Sequence, residues 1–388
     1  MPRTLPLITE QERRDLTPEA LDVVDYRKSG LSLNHVIGCP LDCAYCVRHT
    51  FGLWPQRQPR ALMTDQEAVE RLVGSPWFQP QVTPIQVFNR ATDPFLPQVR
   101  PHTFAVLHDL DARRLTNHVL LITRFRVTEA DCVALNELQH LRVTLLITYS
   151  GIDDPRIEPF PSAVAAETLA RTAAVRPRRY RVILYWRPLV PGLNDTAEHI
   201  RRAAAVGAQA DGTAFTGLFF KDQIADYYQA NGLPEPYVDT ARRKILPCDL
   251  EQRIINGFTR HRGGVLFRKT SCAVSFAHGR PDYNGHYGIR ELCDICPVSQ
   301  LDLCAAGHRT PSAEEIEAVA ARAPGGGDLR VAELTRRAAR VEGNTAEQLR
   351  YYVQHTLAFQ IHDAARPHHH GRHGRADIGW NQGDPLDD

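Results

Sequence analysis

Six short runs rich in apolar and β-branched residues, at 32–37, 85–89, 119–123, 143–148, 181–186 and 216–220, punctuate the first part of the chain. Amphipathic stretches at 65–73, 128–138, 163–174 and 196–206 lie between them. Parallel strands need a long crossover between neighbours, and a helix is its usual form, so this alternation predicts a parallel sheet covered by helices. Six units do not close an eight-unit barrel. The expected architecture is therefore α/β, an open partial (β/α)6 barrel over residues 31–225. Thr128-Glu-Ala-Asp131 matches a capping box and marks one helix start. In such sheets the loops at the C-terminal strand ends build the active site.

The flanks read differently. Residues 1–30 are polar without a strong period and are expected to form an N-terminal arm. Past residue 225 the alternation fails, and residues 226–310 form a segment rich in Cys, Gly, Asp and Pro. Residues 311–366 are predicted to be helical, with helices at 313–322, 329–341 and 346–361 and a Pro-Gly-Gly-Gly break at 324–327. The tail at 367–388, with His368, His369, His370 and His373, is of low complexity and expected to be disordered. No internal repeat is evident.

Cysteine usage narrows the chemistry. The N-terminus lacks a signal-peptide core and no apolar run approaches a membrane span, so a cytoplasmic location with no membrane partner is expected. Thiols stay reduced there, and the nine cysteines need an account other than disulfides. Cys39, Cys43 and Cys46 form one group; Cys272, Cys293, Cys296 and Cys304 form another. Cys132 and Cys248 stand alone, Cys132 as a buried thiol within a helix and Cys248 as a substitute ligand for the second group. Two groups imply two metal centres.

Cys39-Pro-Leu-Asp-Cys43-Ala-Tyr-Cys46 is a C-x3-C-x2-C loop just after the first strand, entered through Gly38. Three thiolates can ligate three irons of a cubane and leave the fourth open. A structural zinc site ordinarily takes four ligands from paired knuckles, which one loop with three does not supply. The loop, its strand setting and Tyr45 before the last cysteine resemble the radical S-adenosylmethionine (SAM) superfamily, over roughly residues 31–225. That resemblance implies a [4Fe-4S] cluster whose open iron takes SAM, whose reduction cleaves SAM to methionine and a 5′-deoxyadenosyl radical, and which a flavodoxin- or ferredoxin-type donor reduces. It also implies roles in SAM binding for Tyr45, for Asn89, Arg90, Thr92 and Asp93 at the end of the second strand, and for Thr123 and Arg124 after the third. Arg187, opening Arg187-Pro-Leu-Val-Pro-Gly-Leu-Asn-Asp195, resembles the corresponding turn of the spore photoproduct lyase-like branch. Asn89 and Arg90 stand where that lyase has a hydrogen-donating cysteine, which disfavours DNA lesion repair.

The four later cysteines can fully ligate a second, auxiliary [4Fe-4S] cluster; a four-cysteine zinc knuckle fits the same spacing. His278, Asp282 and His286, between them, are candidates to face a substrate. The expected function is hydrogen abstraction from a small molecule, in bacterial specialised metabolism, with the auxiliary cluster relaying electrons or donating sulfur. No catalytic side chain is assigned. The 46 basic and 45 acidic residues nearly cancel, which disfavours a nucleic-acid partner. Local charge at Arg176-Pro-Arg-Arg-Tyr-Arg181, 260–268 and 336–350 keeps nucleic-acid modification as an alternative. A zinc-stabilised binding protein is a third.

Overall fold

In the computed structural model, which describes residues 5–238, 240–242 and 246–365, chain order and spatial order coincide across the central sheet. Strands β1 (Val24–Arg27), β2 (Gly30–Leu33), β3 (Ile85–Val87), β4 (His118–Thr123), β5 (Arg142–Tyr149), β6 (Arg181–Leu189), β7 (Gly212–Gly217) and β8 (Leu266–Phe267) lie side by side in that sequence. Every pairing from β2 to β8 is parallel, and β1 is antiparallel to β2. Helices α1 (Asp65–Val73), α2 (Arg100–Ala112), α3 (Glu129–Glu137), α4 (Ser162–Ala174) and α5 (Ala197–Gly207) make successive crossovers. The capping boxes that start α1 and α3 are formed by Thr64 with Glu67 and Thr128 with Asp131. The strand order runs from β1 to β8 without closing, a partial barrel.

Alternate residues of each strand serve two cores. Val119, Leu121, Val143, Leu145, Val182 and Leu184 pack outward under the helices. Leu120, Leu146, Ile183, Tyr185, Ala214 and Phe267 face inward. What fills the inner side is helix α8 (Thr270–Ala277), whose Cys272, Ala273 and Val274 pack on that inner face. The second cysteine group is thereby drawn into the barrel.

Several expectations are corrected. Within residues 1–30, read as an N-terminal arm, Val24–Arg27 joins the sheet as the antiparallel edge strand β1, with Tyr26 buried. The run at 32–37 splits, because the chain leaves the sheet after Leu33 and Val36–Ile37 pairs with Arg60–Ala61 instead. The alternation continues beyond residue 225, through α6 (Asp222–Ala230) and α7 (Cys248–Arg260) to β8. The stretch at 329–341 is a hairpin, β9 (Arg330–Leu334) with β10 (Ala338–Glu342), not a helix. Its Ala and Arg content favours helix locally, but β10 also pairs in parallel with β11 (Gln360–Asp363), and that non-local pairing prevails. The last helix ends at Leu357 rather than 361, where Ala358 takes a left-handed conformation and redirects the chain into β11. The His-rich tail lies outside the described residues. Among those described, no helix is long and apolar enough to cross a membrane.

His278, a candidate for the substrate, instead sits on the barrel floor. Its Nε2 pairs with Thr144 Oγ1 at 2.9 Å, and its ring meets that of His118 edge-on at 5.1 Å. Burial, reinforced by nearby arginines, holds His118 down to about 3; burial and His118 hold His278 down to about 2. The unfolded chain takes up both protons near pH 6.5, so this pair's contribution to stability falls as pH drops below about 6.5. Between pH 6 and 5 the expected loss from the two is about 2 kcal/mol. Urea-unfolding midpoints at the two pH values check this, with His118→Gln/His278→Gln expected to flatten the dependence by that amount.

Candidate functional site

Gly38 opens the first cysteine loop with φ +96°, and a Cβ there would meet the Gln58 carbonyl oxygen at 2.2 Å. Only glycine passes that point without moving the backbone. Gly38 N–H donates to the Ala91 carbonyl at 3.2 Å, and its own carbonyl accepts from Thr92 Oγ1 at 2.6 Å. The loop is therefore stitched to the end of β3. The Arg48 guanidinium, buried, crosses beneath it and donates to the carbonyls of Leu41 (2.6 Å) and Gln56 (2.9 Å). Cys39 and Cys43 are buried and Cys46 is half-buried. Burial pushes the Cys39 thiol up to about 11, against the pull of Arg48. Burial likewise raises Cys43 well above its ordinary value, and Cys39 and Cys46 add to the rise. The three sulfurs thus feel one another, and buried thiolates here call for a compensating cation.

The three cysteines border a cleft of about 730 Å³, open solvent included, together with Tyr45, Asn89, Arg90, Thr92, Asp93, Thr123, Arg124 and Arg187. All eight side chains singled out in the sequence for SAM thus border one space, but they are engaged differently. Asp93 accepts from Thr123 Oγ1 (2.7 Å) and from the N–H groups of Arg124 and Phe95 (both 3.0 Å), which ties the end of β3 to that of β4. Arg90 is directed to the N-terminal segment, donating to the Asp22 carbonyl and lying 3.6 Å from Asp25. Asn89 Nδ2 donates to Gln86 at 2.9 Å, while its Oδ1 is buried without a partner. Arg187 donates to the Tyr185 hydroxyl at 3.2 Å.

Glu158, in the loop after β5, is the residue that sequence reasoning missed. Arg124 Nη1 donates to its two oxygens at 2.9 and 3.0 Å and to the Tyr45 hydroxyl at 2.6 Å. The Tyr45 hydroxyl in turn donates to Glu158, and Cys43 Sγ lies 3.8 Å from Glu158 Oε1. A buried Arg–Tyr–carboxylate network therefore backs the middle cysteine. No motif marks Glu158; its only signal is a carboxylate in a loop at a C-terminal strand end.

The second group converges around Asp282 and His286. Cys304 Sγ accepts from the Asp282 N–H (3.4 Å) and from Gln300 Nε2 (3.2 Å), and Cys293 Sγ donates to the His286 carbonyl at 3.1 Å. Burial raises the Cys272 thiol well above its usual value, with Asp282, Cys293 and Cys304 contributing. Cys296 feels Cys272, Cys293 and Cys304 in turn. Ligand atoms of Cys272, Asp282 and His286 lie within 4.8 Å of one another. Cys248 is exposed at the first turn of α7 and Cys132 is buried on α3.

His35, Asp65 and His102 also gather within 4.8 Å. Here the carboxylate accepts from His35 Nε2 (2.7 Å) and His102 Nδ1 (2.8 Å), while His102 Nε2 accepts from the Leu5 N–H (3.2 Å). That last bond places the His102 proton on Nδ1, so the triad is a hydrogen-bonded tie of the N-terminal segment. Three arginines of the basic stretches are paired with carboxylates, Arg178 with Asp211, Arg268 with Glu251 and Asp294, and Arg340 with Glu333.

Fold and site together define a partial (β/α) barrel with a three-thiol loop bordering a cleft at the strand ends and a second thiol cluster against its inner face. No protein-family profile matches the chain, and no curated protein matches it. Among solved structures, a spore photoproduct lyase point mutant shares 14% identity at a TM-score of 0.48, over 69% of this chain and 87% of that one. A spore photoproduct lyase double mutant with bound AdoMet and dinucleoside spore photoproduct shares 13% at 0.46, over the same portions. SuiB from Streptococcus suis, bound to S-adenosylmethionine, shares 11% at 0.37, over 61% of this chain and 48% of that one. The functional reading rests on the residues of the site.

Proposed function

We propose that the chain is a radical SAM enzyme that abstracts hydrogen from a small molecule. The observation that carries this reading is the C-x3-C-x2-C loop, its three thiols bordering a cleft beside the ends of β3, β4 and β6. The donor set fits a cluster: three thiols from one loop, two buried and one half-buried, with Arg48 and Arg124 nearby. Cys39, Cys43 and Cys46 would hold a [4Fe-4S] cluster, which when reduced supplies the electron that cleaves SAM to methionine and a 5′-deoxyadenosyl radical.

The chain's own groups do the rest. Asn89 Oδ1, buried and unpartnered, is suited to accept a hydrogen bond from the SAM amino group. Arg187, at the rim, offers charge to its carboxylate. Arg48 and the Arg124–Tyr45–Glu158 network hold the loop, and the apolar wall of Phe88 and Ile122 helps keep water out. Cys272, Cys293, Cys296 and Cys304 would hold an auxiliary [4Fe-4S] cluster for electron relay or sulfur donation, with a flavodoxin- or ferredoxin-type donor reducing the protein. The near balance of 46 basic and 45 acidic residues supports a small-molecule substrate over nucleic acid.

Electron paramagnetic resonance of anaerobically reconstituted, dithionite-reduced protein tests the reading. A cluster signal that shifts on adding SAM, with 5′-deoxyadenosine accumulating, is the expected result. Zinc in place of iron and no SAM-dependent signal would overturn it.

A further inference from the structure

The opposite end of the barrel, where the strands begin, gathers cations. His118, Arg142 and Arg181 are the first residues of β4, β5 and β6. Alternation along the strands puts them on the inward face with Leu120, Leu146 and Ile183. The parallel register sets His118 beside Arg142 and Thr144 beside Arg181. Thr144 Oγ1 pairs with His278 Nε2 at 2.9 Å, and Arg280 follows two residues later, just past the end of α8. These groups are near enough to act on one another. Burial and then the charge of Arg280 lower Arg142, and burial and then both arginines lower His118.

Among the described residues, none of these three arginines pairs with a carboxylate. Arg142 donates to the Thr116 carbonyl and Arg181 to the Arg178 carbonyl at 3.5 Å, while Arg280, exposed, makes no side-chain bond. Asp211, just before β7, is taken by Arg178 at 2.6 Å and by the Val182 N–H at 2.7 Å. Asp282, whose charge reaches His118, is bound to His286 at 2.8 Å. A second, independent feature points to a ligand: two buried polar atoms are left open. His118 is 8% exposed and its Nδ1 has no hydrogen-bond partner; Arg181 Nε is buried and equally unmatched. Buried donors without acceptors are costly, and guanidinium charges without a counter-ion repel. An anion rich in acceptor oxygens relieves both.

We infer that the barrel floor binds a phosphate group, free or esterified to a small molecule, among Arg142, Arg181 and Arg280, with His118 donating from Nδ1. Guanidinium forks match the oxygens of a tetrahedral oxyanion, and three of them around one point select phosphate over a singly charged carboxylate. Because His278 and Arg280 continue the chain from α8, the bound phosphate fastens the helix that carries Cys272 to the starts of β4, β5 and β6. The site lies at the other end of the strands from the first cysteine loop and does not depend on the radical SAM reading.

Calorimetry and thermal unfolding of the reconstituted protein test this, with inorganic phosphate and glycerol 3-phosphate as probes against chloride at equal ionic strength. Wild type is expected to bind at least one probe and to unfold at a higher temperature in its presence. Arg181→Gln/Arg280→Gln is expected to weaken binding about tenfold or more and to lose that shift. Without phosphate the double variant should unfold no earlier than wild type, because it removes repulsion rather than a carboxylate pair; this separates loss of the ligand from loss of the fold. Tighter binding of the ester assigns the site to a phosphorylated metabolite, and tighter binding of phosphate to the free ion. Binding of neither probe, or equal binding by the double variant, overturns the inference. So does binding of a single-stranded oligodeoxynucleotide alone, which would give the floor to nucleic acid.

Discussion

Replacing Cys39, Cys43 and Cys46 together by alanine is expected to lower bound iron from about eight to about four atoms per chain and to abolish SAM cleavage. The fold should survive, because the loop is held by contacts other than the thiols. Arg48 bonds two loop carbonyls, and Gly38 and Thr92 bind it to the end of β3. Replacing Cys272 and Cys304 should act differently. Cys272 packs on the inner face of the barrel within α8, so loss of the second centre should remove the other iron and also lower the unfolding midpoint. Iron and sulfide content, with thermal unfolding of both variants, separates the two. If the first variant kept all its iron, that loop would not be a cluster site. If the second lost zinc rather than iron, the auxiliary centre would be a zinc knuckle.

Much of this was legible in the sequence, because two periods carry it. The continuous apolar runs of β4 and β5 belong to strands buried on both faces, and the intervening helices announce themselves by 3.6-residue periodicity and threonine caps. The first cysteine loop is local, so its spacing is visible without a structure. What was hidden is non-local. Leu266–Phe267 is two residues long, too short to show a strand period, and is a strand only because β7 pairs with it. The hairpin at 330–342 reads as helix until β11 supplies its partner. Glu158 lies 115 residues from Cys43, and only the barrel brings them together.

That network sets the second large effect expected. Arg124→Met would leave the Glu158 carboxylate, 3% exposed, without its cation; breaking a buried pair in this way costs about 3–5 kcal/mol. Glu158→Gln should cost less, since Arg124 is 18% exposed and can turn toward water. Arg124→Met/Glu158→Gln should recover most of the loss, because a neutral amide can still accept from Tyr45. Urea unfolding of the four proteins gives the coupling, and a double variant no more stable than Arg124→Met would refute the buried-pair account. The same series separates two roles for Arg124. If its work is to neutralise Glu158 beside Cys43, iron occupancy of the first site should fall in Arg124→Met and return in the double variant. If it reaches the SAM carboxylate as the family resemblance implies, KM for SAM should stay raised in both, whatever the iron content. The buried geometry favours the first outcome, because Glu158 already takes two hydrogen bonds from Arg124 and Tyr45 takes a third.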